Sequence, residues 1–207
     1  MTVRLRRFLR VLAFVGLALA VAACQHYAAI GPGSYDVHGK IAVQLDSQWN
    51  RQVAGPRAAW DESWTRNGPL LDALVIAAGI ADGKPLLDVS GKAAEQLPKF
   101  RPGMAPGDIV TLVQGTLGSA AKASDFETTK IETTHIDGRE AVRFEFTFGT
   151  GADSPLESDR KALGVAVEVD RQLYLVLFHA VETHYFEALR PTVEAVMESV
   201  RIRAKKA

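Results

Sequence analysis

A serine and a lysine stand one helical turn apart in the middle of the chain, at Ser119 and Lys122, which is the spacing of an S-x-x-K acylation motif. In such a motif the serine opens a helix and the lysine lies beside it on the next turn. Here the apolar residues from 106 to 118 recur at helical spacing, so Ser119 is expected at the end of a helix. The chain also has no K-T-G sequence to complete such a site. We therefore expect no catalytic residue at this position.

Two histidines and a glutamate lie close together near the C-terminus, at His179, Glu182 and His184, and could ligate a metal ion. A zinc site needs three or four converging ligands, whereas residues 179 and 182 of one strand would point to opposite faces. The alternative is a histidine at the end of a strand, followed by Glu182 and Thr183 at the cap of a helix. We predict no metal site. We also predict no cofactor, since Gly149-Thr150-Gly151 is not followed by the helix that a dinucleotide site requires.

The three tryptophans, Trp49, Trp60 and Trp64, are the residues best suited to a binding surface. If residues 58–65 form a strand, Trp60 and Trp64 have the same parity and lie on one face. Tryptophans on a covered face would be core residues, whereas tryptophans on an open face would bind a ligand or a protein. The sequence leaves both alternatives open.

The start of the chain has the parts of an export signal. MTVRLRRFLR is positively charged, the 13 residues Val11–Ala23 are apolar, and small residues precede Cys24. Such a run is too short for a helix to cross a bilayer, which takes about 20 residues. Cys24 is the only cysteine among 207 residues, so the chain cannot form an internal disulfide and its fold depends on its core.

The sequence Val21-Ala22-Ala23-Cys24 resembles the lipobox of bacterial lipoproteins. The resemblance implies that Cys24 is lipid-modified, that cleavage makes it the first residue of the mature protein, and that the lipid anchors the protein to a membrane, facing the periplasm. Gln25 rather than aspartate follows the cysteine, which in enteric-type bacteria implies the outer rather than the inner membrane. The alternative is an ordinary signal peptide followed by a free thiol.

Charge and composition divide the chain into segments. Four arginines and no acidic residue precede Cys24, so removal of residues 1–23 lowers the basic side chains from 24 to 20, against 24 acidic ones. A mildly acidic body without a basic stripe argues against nucleic acid as a partner. Residues 24–34 are then the lipidated cysteine and a Gly/Pro/Ser tether, 35–203 a single domain, and 204–207 a basic tail.

Apolar residues alternate with a period of two along most of the mature chain, which is typical of strands. Residues 35–45 are predicted as the first strand. Asn67-Gly68 and Ile136-Asp137-Gly138 are each predicted to join two strands as a hairpin. Residues 173–180 are nearly all apolar, which predicts a central strand covered on both faces.

Helical spacing predicts two helices, over 106–118 and 186–200, and Pro191 is expected to kink or restart the second. The strand over 139–148 should have one buried and one solvated face, because four apolar residues alternate with Arg143, Glu145 and Thr147. The element order β-β-β-α-β-β-β-β-α indicates an α+β fold, with an antiparallel sheet of about six to seven strands covered by helices.

This arrangement resembles the PsbP-like sandwich fold. The resemblance covers most of the mature chain. It rests on a strand around YDVHGKIAVQLDSQWN, on the hairpins WTRNGPLLDAL and HIDGREAVRFEF, and on the final strand and helix LYLVLFHAVETHYFEALRPTVEAVMESVRI. It implies an α/β/α sandwich domain that acts as a binding or assembly module rather than as an enzyme.

These observations predict a lipid-anchored protein of the cell envelope that serves as a non-catalytic binding or assembly module. Its expected partners are the membrane, through the lipid on Cys24, and an envelope protein. One alternative is a carrier of a small hydrophobic ligand, held in a cleft between the sheet and the hairpin that bears Trp60 and Trp64. A weaker alternative is an envelope hydrolase, which would require a reactive Ser119.

Overall fold

The structure is a computed structural model that describes residues 27–53, 60–151 and 158–203. The predicted signal peptide, Cys24 and the basic tail at 204–207 lie outside these residues. Among the described residues, no helix combines the length and the apolar composition needed to cross a bilayer.

Eight of the eleven strands in the described residues form one antiparallel sheet, in the order β1-β4-β5-β6-β10-β9-β8-β7. Its strands are β1 (Tyr27–Ile30), β4 (Trp49–Gln52), β5 (Glu62–Thr65), β6 (Asp72–Ala81), β7 (Ala123–Ile136), β8 (Arg139–Thr150), β9 (Ser158–Val169) and β10 (Gln172–Val181). A second, small sheet has the order β11-β3-β2, formed by β2 (Gly33–Val37), β3 (Ile41–Leu45) and β11 (Arg201–Ile202). The predicted α+β class with an antiparallel sheet is confirmed.

The large sheet is covered on both faces. On one face lies helix α2 (Pro106–Ala121), which is preceded by the short helix α1 (Lys92–Gln96). On the other face lie helix α3 (Glu187–Glu198) and the small sheet. Each face has its own buried apolar cluster, so the domain is a layered sandwich in which every central strand is covered twice. Strand β10, predicted as central, lies between β6 and β9.

The periodic signals at the hairpins and at the first helix are confirmed. Strands β7 and β8 pair across the turn that follows Ile136, with Ile136 opposite Arg139. Strands β5 and β6 pair on either side of the Asn67-Gly68 turn. Helix α2 begins at Pro106, and the carboxylate of Asp108 accepts a hydrogen bond from the Ala105 N–H, which the helix leaves without an internal partner.

Residues 35–45 are two strands rather than the predicted single one. The chain reverses at His38 and Gly39, whose φ angles are 54° and 68°, and the Lys40 N–H donates to the Val37 carbonyl at 3.0 Å. Strands β2 and β3 therefore pair as a hairpin of the small sheet. The alternation of apolar residues continues through this turn, because both strands turn the same face to the core, so periodicity alone could not locate the break.

Both ends of the described chain are more ordered than the sequence indicated. Tyr27–Ile30, which we assigned to the tether, is an edge strand paired with β4. Arg201–Ile202 pairs with β3, and Ile202 is buried. Gly31, Pro32 and Gly33 suggested a tether, but Gly31 and Pro32 only connect β1 to β2, and Gly33 is the first residue of β2.

The second face of β8 is covered, which corrects the prediction of a solvated face. Glu145 is 7% exposed, and Arg190 of α3 donates to its carboxylate at 2.5 Å. Arg143 contacts Glu194 of the same helix. Charged residues on one face of a strand indicate a solvent-exposed face only when no element with complementary charges packs on it. Here α3 supplies the opposite charge for both Glu145 and Arg143.

The chain bends before Pro191 rather than at it. Residues Glu182–Phe186 form an irregular turn, in which Thr183 and His184 leave the helical conformation. Helix α3 begins at Glu187 and continues through Pro191 to Glu198. The expected restart of the helix therefore lies about one turn earlier than the proline, at the boundary between β10 and α3.

Candidate functional site

A polar groove of about 300 Å³ opens where β4 ends and β5 begins. It is lined by His38, Arg51, Gln52, Trp60, Asp61, Glu62, Ser63 and Asp88. We call this feature the Trp60 groove. It contains one of the three tryptophans singled out from the sequence, together with basic and acidic side chains.

An ion pair between Arg51 and Glu62 forms one wall of the Trp60 groove. The guanidinium donates twice to the carboxylate, with Nε 2.7 Å from Oε2 and Nη2 2.5 Å from Oε1. The Trp64 indole N–H donates to the same Oε2 at 2.9 Å. Glu62 is 4% exposed, so three donors compensate the loss of its hydration, and its bond to Arg51 raises the pKa of that arginine.

The three tryptophans do not share a surface. Trp49 and Trp64 are fully buried in the cluster beneath α3 and the small sheet, so they are core residues. Trp60 is half-buried and packs against the cluster on the other face, beneath α2. The prediction that Trp60 and Trp64 lie on one face was wrong. Strand β5 starts only at Glu62 and the chain bends at 60–61, so the alternation of side chains in a strand does not extend to Trp60.

Asp61, the residue next to Trp60, is held by β6 beside an irregularity of that strand. The register between β6 and β10 shifts by one residue at Gly79, whose φ is 72°, a conformation that favours glycine. The Ala78 N–H donates to the Asp61 carboxylate at 2.7 Å, and Lys40 Nζ donates to the Ala78 carbonyl at 3.0 Å. His38 Nε2 lies 3.3 Å from the Asp61 carbonyl oxygen. These contacts fix Asp61 and therefore the position of Trp60 beside it.

A second cavity of about 310 Å³ adjoins the Trp60 groove, since Asp61 and Asp88 line both. It is lined by the end of β6, by the segment 84–89, which contributes Lys84, and by Lys40 from the turn between β2 and β3. Asp88 is exposed between the two cavities. The combined surface offers both signs of charge and one indole, which suits a partner with polar groups and an apolar or aromatic contact.

Two carboxylates of the Trp60 groove, those of Glu62 and Asp61, already accept hydrogen bonds from the domain itself. A general base needs a lone pair that can reach a substrate proton. Both oxygens of Glu62 accept bonds from Arg51, and Asp61 accepts one from the backbone of β6. The indole of Trp60 supplies a rigid contact surface at low entropic cost.

Ser119 and Lys122 lie where the helical pattern indicated, at the C-terminal end of α2. Lys122 has a left-handed backbone with φ of 54° and ends the helix, and its N–H donates to the Leu117 carbonyl. A lysine in this conformation is not on the turn after the serine. The arrangement is therefore not that of an S-x-x-K nucleophile at the start of a helix.

His179 and His184 have different neighbours and do not converge. Arg160 donates to His179 Nδ1 over 3.2 Å, and because arginine only donates, Nδ1 is the acceptor nitrogen. Burial, and then the Arg160 charge, lower the pKa of His179 to about 3. His184 is exposed and its ring stands edge-on to Tyr185. Within the described ranges, no group of three His, Cys, Asp or Glu residues is placed to hold a metal ion.

The cleft expected for a hydrophobic carrier is not where we placed it. Strands β5 and β6 are part of the large sheet, and β6 pairs along its length with β10. Trp64 is enclosed in the core, so the described residues leave no space between this hairpin and the sheet. The hairpin signal was correct, but it gave no information on what the hairpin packs against.

Sequence reasoning missed Arg51 and Glu62. One signal was available. Glu62 and Trp64 are two residues apart in one strand, so their side chains must lie on the same face of the sheet, and a carboxylate therefore lies beside a core tryptophan. A buried carboxylate needs donors, which should have directed attention to nearby arginines. Nothing in the sequence indicated that Arg51, eleven residues earlier, is the one that pairs.

Comparison with known proteins indicates the fold. No protein-family model matches the chain, and no curated protein matches it. A similar solved structure is the cyanobacterial PsbP protein CyanoP of Synechocystis sp. PCC 6803, at 13% identity and a TM-score of 0.53, covering 86% of this chain and 92% of that one.

Two further solved structures have lower scores. PA94 of Pseudomonas aeruginosa, a protein of unknown function, is 14% identical with a TM-score of 0.45, covering 87% of this chain and 99% of that one. LpqN of Mycobacterium tuberculosis, involved in cell envelope biogenesis, is 11% identical with a TM-score of 0.44, covering 86% of this chain and 92% of that one. The likeness to CyanoP confirms the predicted PsbP-like fold, and at this identity it shows the fold alone.

Proposed function

We propose that this chain is an exported, lipid-anchored protein of the cell envelope that binds a partner through the Trp60 groove without catalysing a reaction. The export and anchoring part rests on the leader and on the lipobox-like sequence at Cys24. A lipoprotein-type anchor with two or three acyl chains holds a protein stably at a membrane.

One observation carries the binding part of the proposal. Trp49 and Trp64 are fully buried, whereas Trp60 keeps exposed surface inside a groove lined by charged side chains. A half-exposed tryptophan in a concave polar site is the arrangement that concentrates binding energy in protein interfaces. Arg51 and Glu62 hold each other in place, and the backbone of β6 holds Asp61, so the site is formed before a partner arrives.

The partner that fits this groove is an envelope protein. The groove is open and mixed in charge, which resembles a protein-binding surface more than a pocket that encloses a small apolar ligand. The adjoining cavity lengthens the same surface along the end of β6.

The proposal is tested by site-specific photo-crosslinking in cells. A photoreactive amino acid replaces the exposed Asp88, and, as a matched control, the exposed Ile131 on β7 at the far edge of the sheet. We expect a crosslinked product of one defined mass from position 88, lost when Trp60→Ala is added, and none from position 131. Equal crosslinking at both positions, or a product at 88 that Trp60→Ala leaves unchanged, would contradict binding through the groove.

A further inference from the structure

We propose that the end of the large sheet that carries the Trp60 groove rests on the lipid–water interface of the anchoring membrane. The inference rests on the proposed lipidation of Cys24 and adds an orientation to it. Tyr27, the first residue of β1, is only three residues beyond Cys24. Three residues span at most about 11 Å, so the anchor holds the start of β1 close to the bilayer surface.

The strand register shows which other residues lie at this end. Tyr27 pairs with Gln52, the last residue of β4, and Gln52 also lines the Trp60 groove. Directly paired residues of antiparallel strands lie about 5 Å apart. The groove is therefore next to the point where the anchor enters the domain, and a short connection cannot turn it away from the membrane.

The β5–β6 turn lies toward the opposite end of the sheet. Ala28 of β1 is level with Arg51, Trp64 and Leu74. Asp72 and the turn before it, which includes Leu70, therefore lie two or more residues, at least about 7 Å, farther along the strands on the side away from Cys24. Strand β6 continues from this level to Ala81, on the side of the Trp60 groove.

The side chains at the anchored end suit an interface between water and lipid. Val53 follows β4 and is 50% exposed, and Tyr27 and Trp60 are half-buried. Tyrosine and tryptophan favour the interfacial layer of a bilayer, where an apolar ring meets polar groups. The exposed part of Arg51 can remain among headgroups while its stem lies on apolar surface. Contact by these residues supplements the anchor rather than replacing it.

This orientation restricts the partner of the Trp60 groove. A ligand that reaches Trp60 must approach within the layer next to the bilayer surface, because the groove adjoins the anchored edge. The partner is then a membrane-proximal segment or domain of an envelope protein, not a molecule captured far from the membrane.

Single-cysteine labelling tests the orientation in the full, acylated protein. Cys24 is the only cysteine, and as a thioether it does not react, so one introduced cysteine carries one dye. An environment-sensitive fluorophore is attached to Val53→Cys or Leu70→Cys, two exposed apolar positions toward opposite ends of the sheet. The proteins are inserted into phosphatidylethanolamine–phosphatidylglycerol vesicles that contain brominated lipid.

We expect quenching by the brominated lipid to be at least about threefold stronger at position 53 than at position 70. Equal quenching at the two positions, or stronger quenching at 70, would overturn the inference. The same samples are weighed intact by mass spectrometry. Acylated protein without selective quenching at 53 contradicts the orientation alone, whereas an unmodified Cys24 contradicts the anchor and the orientation together.

The intrinsic tryptophans give a second readout without a dye. Trp49 and Trp64 are enclosed in the core, so brominated lipid should quench the emission of Trp60 alone. Trp60→Phe should remove the quenchable fraction and leave the emission of the other two. Quenching that survives Trp60→Phe would contradict contact of this residue with the interface.

Discussion

Tyr27 and Gln52 are paired residues on neighbouring strands, and Gln52 lines the groove that contains the one half-exposed tryptophan of the chain. The residue of the described domain nearest to the predicted lipid attachment is therefore one strand away from the candidate binding site. This relationship links the membrane anchor predicted from the leader to the binding surface that the fold forms.

The pair Arg51–Glu62 should stabilise the domain as well as shape the groove. We expect Glu62→Gln to lower the free energy of unfolding by about 2 kcal/mol, because a buried carboxylate and two charge-assisted bonds are lost while the arginine is part-exposed. In a double-mutant cycle with Arg51→Met, urea unfolding should give a coupling energy of about 1–2 kcal/mol. Additive effects would show that the two side chains do not act as a pair.

Gly164 lies directly against the ring of Phe144. A Cβ at position 164 would come within 2.2 Å of that ring, which is fully buried. We expect Gly164→Ala to cost about 2–4 kcal/mol, since neither the ring nor the strand can move freely. In a Phe144→Leu background the same change should cost much less, measured by urea unfolding. An equal cost in both backgrounds would mean that the ring is not what the methyl group meets.

His179 should make the domain less stable as the pH falls. Its pKa is lowered from 6.5 to about 3 in the folded protein, mainly by burial and then by the Arg160 charge. Between these two values the unfolded chain takes up a proton that the folded protein does not, so acid favours unfolding. From pH 7 to pH 5 this should remove about 1–2 kcal/mol of stability.

The variant His179→Gln isolates this contribution. Glutamine has a carbonyl oxygen to accept from Arg160, but it does not titrate. The difference in unfolding free energy between the two proteins should therefore change with pH, the wild type losing more between pH 7 and pH 5. Parallel curves for the two proteins would show that the pKa of His179 is not lowered.

Asp72 should be among the polar side chains most important for stability. It is fully buried, and its oxygens accept from the Thr65 hydroxyl at 3.0 Å and from the N–H groups of Arg66 at 2.7 Å and Asn67 at 2.8 Å. We expect Asp72→Ala to cost about 3 kcal/mol in thermal or urea unfolding, because three donors, one of them fully buried, lose their acceptor.

An exposed aspartate provides the matched control. Asp82 pairs with Arg101 at 3.0 Å on the surface, so Asp82→Ala should change stability by less than about 0.5 kcal/mol. A similar cost for the two aspartates would indicate that burial of the Asp72 bonds is not the cause.

Local patterns predicted much of the fold, because turns and periodicity are local properties. Asn67-Gly68 and the turn after Ile136 form hairpins, and Pro106 starts a helix, as the sequence indicated. The break at His38 went unseen because a hairpin that keeps one face on the core looks, in the sequence, like a longer strand. The covering of Glu145 went unseen because it depends on Arg190, 45 residues away.

The candidate site was predictable only in part. Tryptophan stood out as a residue type for binding, and Trp60 does line a groove. Which tryptophan remains exposed depends on where β5 begins, and strand boundaries are the least certain part of any reading by periodicity. Arg51 and Glu62 come together only through the register of β4 and β5, which no local pattern specifies.

Intact-mass and peptide mass spectrometry of the mature protein, purified with detergent from its native membrane, tests the central claim most directly. The account predicts a chain that begins at Cys24 and carries a diacylglyceryl thioether, and it predicts that Cys24→Ser leaves the uncleaved precursor without incorporated palmitate. A mature chain that begins at another residue, or an unmodified thiol at Cys24, would contradict it.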